Sequence, residues 1–562
     1  MRLTMRLRHL ALIGLFLCGG ARADLPEPVA RLAHAAGIPE ASIGAIVLRG
    51  DTILVSHGAD QPMLPASTMK VVTGIVALDE LGPAFRGRTE LRSKGEIAGG
   101  VLKGDLLVRG GADMDLDADA MAHLLERLRA LGVHRIAGDL VLDRQLFQPP
   151  RMDLGKGEFD EAPEAYYNVT PDALLLNMNM LTVDMDSTGK GGVKAAALPE
   201  LDRVAVRSAQ VLVDTPCESW EDGWKPPTTV REGDRLAIVL HGTFPRNCRQ
   251  AYRINALDRD DFADRLIRAA WKRLGGTIAG RTRTVDLAGH TSDLAAAAAA
   301  QGAIGSADGS SNGSSNGSNS GSKNGTAAQP AGPAAAGLPS GVDADGTRLL
   351  VAHQSRALPE LVRDTMKVSD NAQARMLFLS LGSLQADETL GSRPLPAGQR
   401  LAMLMAANNG DTSQPTTTLG RAEAVVRGWF KRHGIDTSGM VVENGSGLSR
   451  IERLRPVQLA AVLAAAEESP WAPEFQASLP IVGVDGTMKR RLKNSPAASR
   501  ARIKTGTLRD GVAVAGYVPD ANGEQCIVVA IINHDGIDHA TGRAIVDALI
   551  DWTANSSAAA PM

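Results

Sequence analysis

The stretch that decides the fold is LPASTMKVVTGIVALDEL, residues 64–81. Its aliphatic residues recur at helical spacing after Ser67, which predicts a helix that begins near this serine. The Ser67 hydroxyl could cap that helix by accepting a hydrogen bond from a free amide of the first turn. Alternatively, Ser67 and Lys70 lie three residues apart on one helix face and could be a nucleophile and its base. This stretch alone leaves both interpretations open.

Two further motifs follow Ser67-x-x-Lys70 (motif 1) in the chain. Motif 2, Ser369-Asp370-Asn371, falls in a predicted turn between two helices, where a simple side-chain cap would also explain it. Motif 3, Lys504-Thr505-Gly506, is the only Lys-Thr-Gly of the chain and lies in an otherwise apolar strand. A lysine there can protect an edge strand, or the glycine can let an extended ligand approach the strand closely.

The order of the three motifs, each in a suitable local context, resembles that of penicillin-binding proteins and class A β-lactamases. GVLKGDLLVRGGADMDL (100–116), GSGLSR (445–450) and SLPIVGVDGTMKRR (478–491) resemble, more narrowly, the D-alanyl-D-alanine carboxypeptidase/endopeptidase family, the class C low-molecular-mass penicillin-binding proteins. The resemblance implies an α+β fold. We therefore expect a transpeptidase/β-lactamase-like domain, an antiparallel sheet flanked by helices, that is split by large, mainly-β inserted domains.

The resemblance also implies a role for each motif residue in serine acyl transfer. The implied roles are nucleophile for Ser67, base for Lys70, proton relay for Ser369, substrate binding for Asn371, Lys504, Thr505 and Gly506, and an oxyanion hole for the backbone amides of Ser67 and Thr507. A free lysine has a pKa near ~10.4, so Lys70 must be made less basic, and burial and the Lys504 charge are the expected causes.

Four positions depart from the family pattern. Asn444 stands where an aspartate commonly precedes GSGLSR, and Ala112 and Met114 stand where a Gly-Gly-Asp-Pro turn is usual. Arg375 stands where an acidic residue is common. None of the four belongs to the three motifs, so they put substrate preference in question rather than the core chemistry.

The composition of the chain changes along its length. Residues 1–23 combine early arginines, an apolar run and Ala21-Arg22-Ala23, which predicts a signal peptide cleaved after Ala23 and an exported, periplasmic protein. A lipid on Cys18 is disfavoured by the bulky Leu17 before it. We then expect the N-terminal part of the transpeptidase-like domain at 24–95, inserted domains at 96–288, a flexible Gly/Ser/Ala-rich insertion at 289–345, and the rest of the domain at 346–562.

Charge and cysteines limit the possible partners. A net charge of −3 over 562 residues argues against nucleic acid, and no further apolar span predicts a transmembrane anchor in the mature chain. Export would allow Cys217 and Cys248 to form a disulfide, whereas Cys526 falls in a predicted buried strand. The cysteine spacings do not fit a zinc site, and His534-Asp535 and Asp538-His539 are best explained as a solvated turn. We expect neither metal nor cofactor.

The resulting hypothesis is a serine DD-peptidase of peptidoglycan. It would hydrolyse D-alanyl-D-alanine, as a carboxypeptidase, or D-alanyl-diamino-acid cross-links, as an endopeptidase, or both. Peptidoglycan stem peptides would be its substrates and β-lactam antibiotics its covalent inhibitors. One alternative is a β-lactamase, but its Glu-x-x-x-Asn element is found only at Glu164–Asn168, before motif 2 rather than after it. The other is an inactive wall-binding scaffold, although Ser67, Lys70 and Lys504 are all present.

Overall fold

In this computed structural model the described residues are 24–154, 159–285, 291–293, 343, 345–396 and 417–557. The predicted signal peptide and most of the predicted Gly/Ser/Ala-rich insertion lie outside them. The α-helices of this part are α1 Glu27–Ala35, α2 Met69–Leu81, α3 Ala118–Ala130, α4 Arg259–Arg273, α5 Leu358–Val368, α6 Asn371–Leu381, α7 Thr418–Arg432, α8 Pro456–Glu468, α9 Ala472–Ser478 and α10 His539–Asn555. No helix among them is long and apolar enough to cross a membrane.

The strands of the described residues are β1 Ile43–Arg49, β2 Thr52–His57, β3 Arg88–Ser93, β4 Glu96–Ala98, β5 Val101–Lys103, β6 Leu106–Gly111, β7 Arg135–Ile136, β8 Leu140–Asp143, β9 Leu181–Asp186, β10 Lys194–Leu198, β11 Val204–Ser208, β12 Val211–Val213, β13 Trp224–Glu232, β14 Arg235–Pro245, β15 Arg249–Ile254, β16 Thr277–Ile278, β17 Thr282–Val285, β18 Thr291–Asp293, β19 Arg348–Gln354, β20 Leu384–Asp387, β21 Gly391–Pro394, β22 Arg502–Leu508, β23 Gly511–Pro519 and β24 Gln525–Asn533.

The central sheet joins the beginning of the described chain to its end. Its five strands have the order β2-β1-β24-β23-β22, and every neighbouring pair is antiparallel. β23 and β24 are apolar and buried almost throughout, because helices cover both faces of the sheet. α1 and α10 pack on one face, and α8 and α2 lie on the other. The α+β fold with an antiparallel sheet flanked by helices is therefore confirmed.

Helix α2, which carries Lys70, is buried on nearly all sides. It packs against α5, α6 and α8, so its mostly aliphatic sequence needs no polar face. Gly74 allows the close contact with α5, because a Cβ at this position would lie 2.4 Å from the Met366 Cε. The helix ends before Gly82, whose positive φ of 75° a glycine adopts without strain. The backbone that carries Lys70 is thus held in a closely packed core.

The inserted region contains most of the strands and has its own hydrophobic core. Its largest sheet has six strands in the order β18-β17-β8-β6-β3-β19. β3 and β19 fall on the transpeptidase-like side of the predicted boundaries at 95 and 346, but they pair with β6 and with each other in this sheet. The two strands that lead into and out of the inserted region therefore pair in its sheet.

Two other features of the inserted region bear on the sequence predictions. Cys217 and Cys248 form a disulfide, and Cys526 is a buried free thiol in β24. Within the predicted insertion 289–345, Thr291–Asp293 forms β18 and pairs with β17, and Asp343 makes an ion pair of 2.9 Å with Arg92 in β3. Residues 291–293 and Asp343 of that predicted segment therefore lie in or beside the six-stranded sheet.

Candidate active site

Ser67 lies in a tight 3₁₀ turn, Ala66–Thr68, directly before α2. Its side chain makes no capping hydrogen bond, so the structure does not support the interpretation of Ser67 as a helix cap. Ala66 has a φ of 47°, and a left-handed alanine costs roughly 1–2 kcal/mol. Gly447 fits against this turn, since a Cβ there would lie 1.8 Å from the Ala66 carbonyl oxygen. The nucleophile candidate is thus presented by strained, closely packed backbone.

Lys70 connects three parts of the site. Its Nζ lies 2.9 Å from Ser67 Oγ, 2.7 Å from Asn371 Oδ1 and 2.5 Å from the Ser446 carbonyl oxygen. The amide and carbonyl oxygens can only accept hydrogen bonds, whereas the serine hydroxyl can also donate. A neutral Lys70 would therefore donate to Asn371 and Ser446 and keep its lone pair for the Ser67 proton. This is the geometry that a general base requires.

The electrostatics of the site favour that neutral form. Lys70 is fully buried, which lowers its pKa well below that of an ordinary lysine, and the Lys504 charge lowers it further. Asp370 and Glu452 act in the opposite direction. Burial also lowers the pKa of Lys504, to about 7. Both causes expected from the sequence for Lys70 are present.

Motif 2 forms the turn between α5 and α6. Ser369 ends α5 with a φ of 62°, and the Asp370 carboxylate caps α6 by accepting from the Gln373 amide. The Ser369 hydroxyl accepts a hydrogen bond of 2.9 Å from Lys504 Nζ. Asn371 is the first residue of α6 and points to Lys70. The turn therefore places Ser369 and Asn371 against two different lysines.

Motif 3 lies in β22, an edge strand of the central sheet. Lys504 is fully buried, so it does not protect this edge from solvent as one interpretation suggested. Its Nζ also donates to the Thr505 carbonyl oxygen at 2.7 Å, and the Thr505 hydroxyl donates to Thr487 Oγ1 at 2.8 Å. A Cβ at Gly506 would lie 2.8 Å from the Ser67 amide nitrogen. Glycine is therefore required where β22 passes the Ser67 turn.

Several residues of the site were not identified from the sequence. The Ser446 carbonyl belongs to GSGLSR, and Thr487 belongs to the stretch 478–491. Both stretches contribute to the family resemblance, but neither residue was assigned a role from the sequence. The inserted region contributes Tyr166, whose hydroxyl donates to Asp370, and the Tyr167 carbonyl, which accepts from Asn371 Nδ2 at 3.3 Å. A backbone carbonyl has no sequence signal, and these tyrosines are about two hundred residues from motif 2.

Glu164 and Asn168, the Glu-x-x-x-Asn element, flank those tyrosines. Glu164 is buried and accepts a hydrogen bond of 2.9 Å from Trp224 Nε1. Asn168 donates to Asp160 Oδ1 at 2.7 Å and to the Ala162 carbonyl oxygen at 2.9 Å. Neither side chain hydrogen-bonds a motif residue, so their contacts give no support to a deacylating base here.

The four departures from the family pattern lie in two places. Arg375 and Asn444 line a cavity of about 760 Å³ next to the site, which no residue of the three motifs lines. Ala112 has a φ of 57°, and Met114 is buried in the same core as α2. Arg375 and Asn444, the two departures that alter charge, thus line the same cavity. Ala112 and Met114 instead belong to the hydrophobic core around α2.

Within the described ranges no cluster of three or more histidine, cysteine or acidic side chains could hold a metal ion. Around the predicted solvated turn, Asp538 caps α10 by accepting from the Thr541 amide, and His539 Nε2 lies 2.9 Å from the Leu508 carbonyl oxygen. These side chains serve local structure.

The chain is similar to known proteins in sequence and in fold. The chain is 25% identical to D-alanyl-D-alanine carboxypeptidase DacB of Haemophilus influenzae, over 88% of this chain and 86% of that protein. It is 24% identical to a D-alanyl-D-alanine carboxypeptidase of an Actinomadura species, over 92% and 82% of the two chains. The crystal structure of penicillin binding protein 4 (dacB) from Haemophilus influenzae superposes with a TM-score of 0.65 at 21% identity and covers 94% of this chain and 99% of its own.

A family model matches residues 27–301 and 401–556, which is more than half of the chain. Motifs 1 and 3 lie within these matched residues, and motif 2 lies between them. With the fold shared over nearly the whole length of the Haemophilus structure, this chain belongs to the D-Ala-D-Ala carboxypeptidase 3 (S13) family.

Proposed function

We propose that this chain is a serine DD-peptidase that acts on peptidoglycan through an acyl-enzyme on Ser67. The observation that carries the proposal is the set of contacts around Lys70, which leaves the lone pair of a neutral amine to the Ser67 hydroxyl. The substrate is a D-alanyl-D-alanine terminus, a D-alanyl-diamino-acid cross-link, or both, because each presents a D-alanyl carbonyl near a carboxylate. Support comes from family membership and from the relatives named D-alanyl-D-alanine carboxypeptidase.

Acylation uses motifs 1 and 3. Ser67 Oγ attacks the D-alanyl carbonyl carbon while its proton passes to Lys70, and the carbonyl oxygen becomes an oxyanion. The backbone amides of Ser67 and Thr507 would bind this oxyanion, a contribution of about 3 kcal/mol per donor. Lys504, in its protonated form, and Thr505 would hold the substrate carboxylate, and Gly506 lets the peptide approach the edge strand. Asn371 would hold the substrate amide while it orients Lys70.

The proton must next reach the departing nitrogen. We assign this transfer to Ser369, as the family resemblance implies: its hydroxyl accepts from Lys504 Nζ, and its turn also presents Asn371, which contacts Lys70. The C–N bond then breaks, the leaving amine takes the proton, and Ser67 keeps the acyl group as an ester. Water hydrolyses this ester in the second half of the reaction. A β-lactam would acylate Ser67 in the same way, and the Haemophilus relative has been crystallised in complex with a β-lactam.

The test is intact mass after incubation with benzylpenicillin. The wild-type protein should gain one penicillin mass, and Ser67→Ala should gain none. Ser187→Ala is the matched control, because Ser187 begins another Ser-x-x-Lys but donates to the Pro245 carbonyl oxygen and is buried away from the site. A stem peptide ending in D-Ala-D-Ala and a cross-linked dimer, assayed separately, would identify the bond cut. Acylation of Ser67→Ala, or a wild-type protein that gains no penicillin mass, would overturn the proposal.

We also propose that the protein is exported to the periplasm after cleavage behind Ala23. The sequence pattern of residues 1–23 supports this, as does a disulfide between Cys217 and Cys248, a bond that persists in oxidising compartments. N-terminal sequencing of the mature protein from a periplasmic extract should begin at Asp24. A protein that retains Met1 would contradict this proposal.

A further inference from the structure

Arg375 is a charged side chain next to the site that the mechanism above does not use. It lies one turn after Asn371 on the same face of α6. Its terminal nitrogens make only long hydrogen bonds, 3.3 Å to the Val169 carbonyl oxygen and 3.4 Å to that of Leu448. Its buried Nε has no hydrogen-bond partner among the described residues. The guanidinium therefore contacts two backbone carbonyl oxygens, one of the inserted region and one of the loop that follows Asn444.

The loop Asn444–Leu448 lies between Arg375 and Lys70 and is held from three sides. Lys70 donates to the Ser446 carbonyl oxygen, and Arg375 donates to the Leu448 carbonyl oxygen. The buried Glu452 carboxylate accepts from the backbone amides at the start of the loop. Arg375 and the proposed base thus donate hydrogen bonds to the same short segment.

The charges that face Lys70 come from several elements. Lys504 in β22 and Arg375 in α6 are the cations, and Asp370 and Glu452 are the carboxylates. Arg375 itself faces Glu452 and the exposed Glu443. A guanidinium does not lose its proton in proteins, so Arg375 is a fixed positive charge. Such a charge disfavours a second cation nearby.

We propose that Arg375 is a positioning residue that braces the Asn444–Leu448 loop against Lys70 and, through its fixed charge, keeps Lys70 neutral and ready to take the Ser67 proton. The inference rests on the proposed function, in which Lys70 is the base. Burial and Lys504 remain the larger causes of the low pKa of Lys70.

The test is the pH dependence of the acylation rate constant, measured with a fluorescent penicillin on Arg375→Gln, Arg375→Met and Arg375→Glu. Loss of the positive charge raises the pKa of Lys70. The acidic limb of the pH–rate profile, where the rate falls because Lys70 becomes protonated, should therefore move to higher pH. This limb should move by the same amount in the Gln and Met variants and further in the Glu variant. At the low-pH end the neutral variants should be about tenfold slower than wild type, with the difference shrinking as the pH rises. Arg363→Gln, an exposed arginine in α5, should leave the limb unmoved.

A purely structural role predicts a different result: the acylation rate constant would fall by the same factor at every pH, and the acidic limb would not move. That result would overturn the inference. If the Arg375→Gln, Arg375→Met and Arg375→Glu variants do not fold, Arg375→Lys keeps the positive charge and should leave the acidic limb at the wild-type pH. A limb that moves to higher pH in Arg375→Lys would also overturn the inference. Failure of the wild type to label on Ser67 would instead refute the proposed function, so the two failures are distinguishable.

Discussion

Replacement of Lys504 by methionine should stabilise the free protein while it removes the proposed carboxylate-binding charge. Lys504 is fully buried, and within the described residues its Nζ contacts the Ser369 hydroxyl and the Thr505 carbonyl oxygen but no carboxylate. Burial without a counterion lowers its pKa from 10.5 to about 7. The folded protein therefore holds this lysine at a cost in free energy that depends on pH.

The sign follows from comparing protons bound in the two states. Below pH 7 the lysine is protonated in both the folded and the unfolded state, so folding includes the whole free-energy cost of burying the charge. The lowering of the pKa from 10.5 to about 7 corresponds to about 5 kcal/mol, at roughly 1.4 kcal/mol per pH unit. Between pH 7 and 10.5 the unfolded chain binds more protons, so the cost declines as the pH rises. Methionine removes the cost but also two hydrogen bonds, worth about 1 kcal/mol each. The net gain should be about 3 kcal/mol at pH 6, turning into a small loss at pH 10.

Urea unfolding at pH 6 and pH 10 measures this difference directly. Lys431→Met, a substitution of an exposed lysine in α7, is the matched control and should change the free energy of unfolding little at either pH. Acylation of Lys504→Met by benzylpenicillin should be slower by about 10²–10³, the typical effect of removing a buried charge that binds a partner. If Lys504→Met changed the free energy of unfolding equally at both pH values, the reasoning about the buried charge would be refuted.

Three other changes probe the packing around the site. Gly447→Ala should destabilise the protein by about 3 kcal/mol and slow acylation, because its Cβ would meet the Ala66 carbonyl oxygen at 1.8 Å in left-handed backbone; a wild-type melting temperature and labelling rate would contradict this. Replacing Cys217 and Cys248 by serine should cost about 3–4 kcal/mol of unfolding free energy, given their separation of 31 residues, and calorimetry should show this loss while penicillin labelling at 25 °C persists. Tyr166→Phe removes the donor to Asp370 Oδ2, although the Gln373 amide still donates to Oδ1, and should slow acylation about tenfold in a stopped-flow assay, whereas an unchanged rate would show that the inserted region does not support the motif.

The family resemblance carried by the sequence was sufficient to predict the central sheet, and the three motifs are visible in the sequence directly. The local pattern agrees, because the tight turns Gly50-Asp51 and Arg509-Asp510 join β1 to β2 and β22 to β23. The motifs combine side chains whose chemistry is visible in the sequence. Ser67, Lys70 and Lys504 are examples, since a serine and buried lysines at such spacing have few structural explanations.

The remainder of the site depends on tertiary contacts that leave no local pattern. The Ser446 carbonyl is a backbone group, which every residue possesses, and its importance lies only in its position. Tyr166 reaches motif 2 because the inserted region folds back onto the catalytic domain, which periodicity cannot reveal. The same limit applies to β3 and β19, which have ordinary strand sequences, since only their pairing partners assign them to the six-stranded sheet.

The pairing of β1 with β24 has a consequence for how the activity is acquired. Lys70 contacts Asn371 and Ser446 across 301 and 376 residues of chain, and the central sheet requires strands from both ends. Contacts between such distant segments form slowly, because the entropy cost of closing a long loop comes before the stabilising contacts form. While the chain is being made, the inserted region can complete its own core, but Ser67 has no Lys504 beside it until the last strands emerge. Hydrolytic activity should therefore appear late and abruptly, and a chain truncated before β22 would fold in part and remain inert.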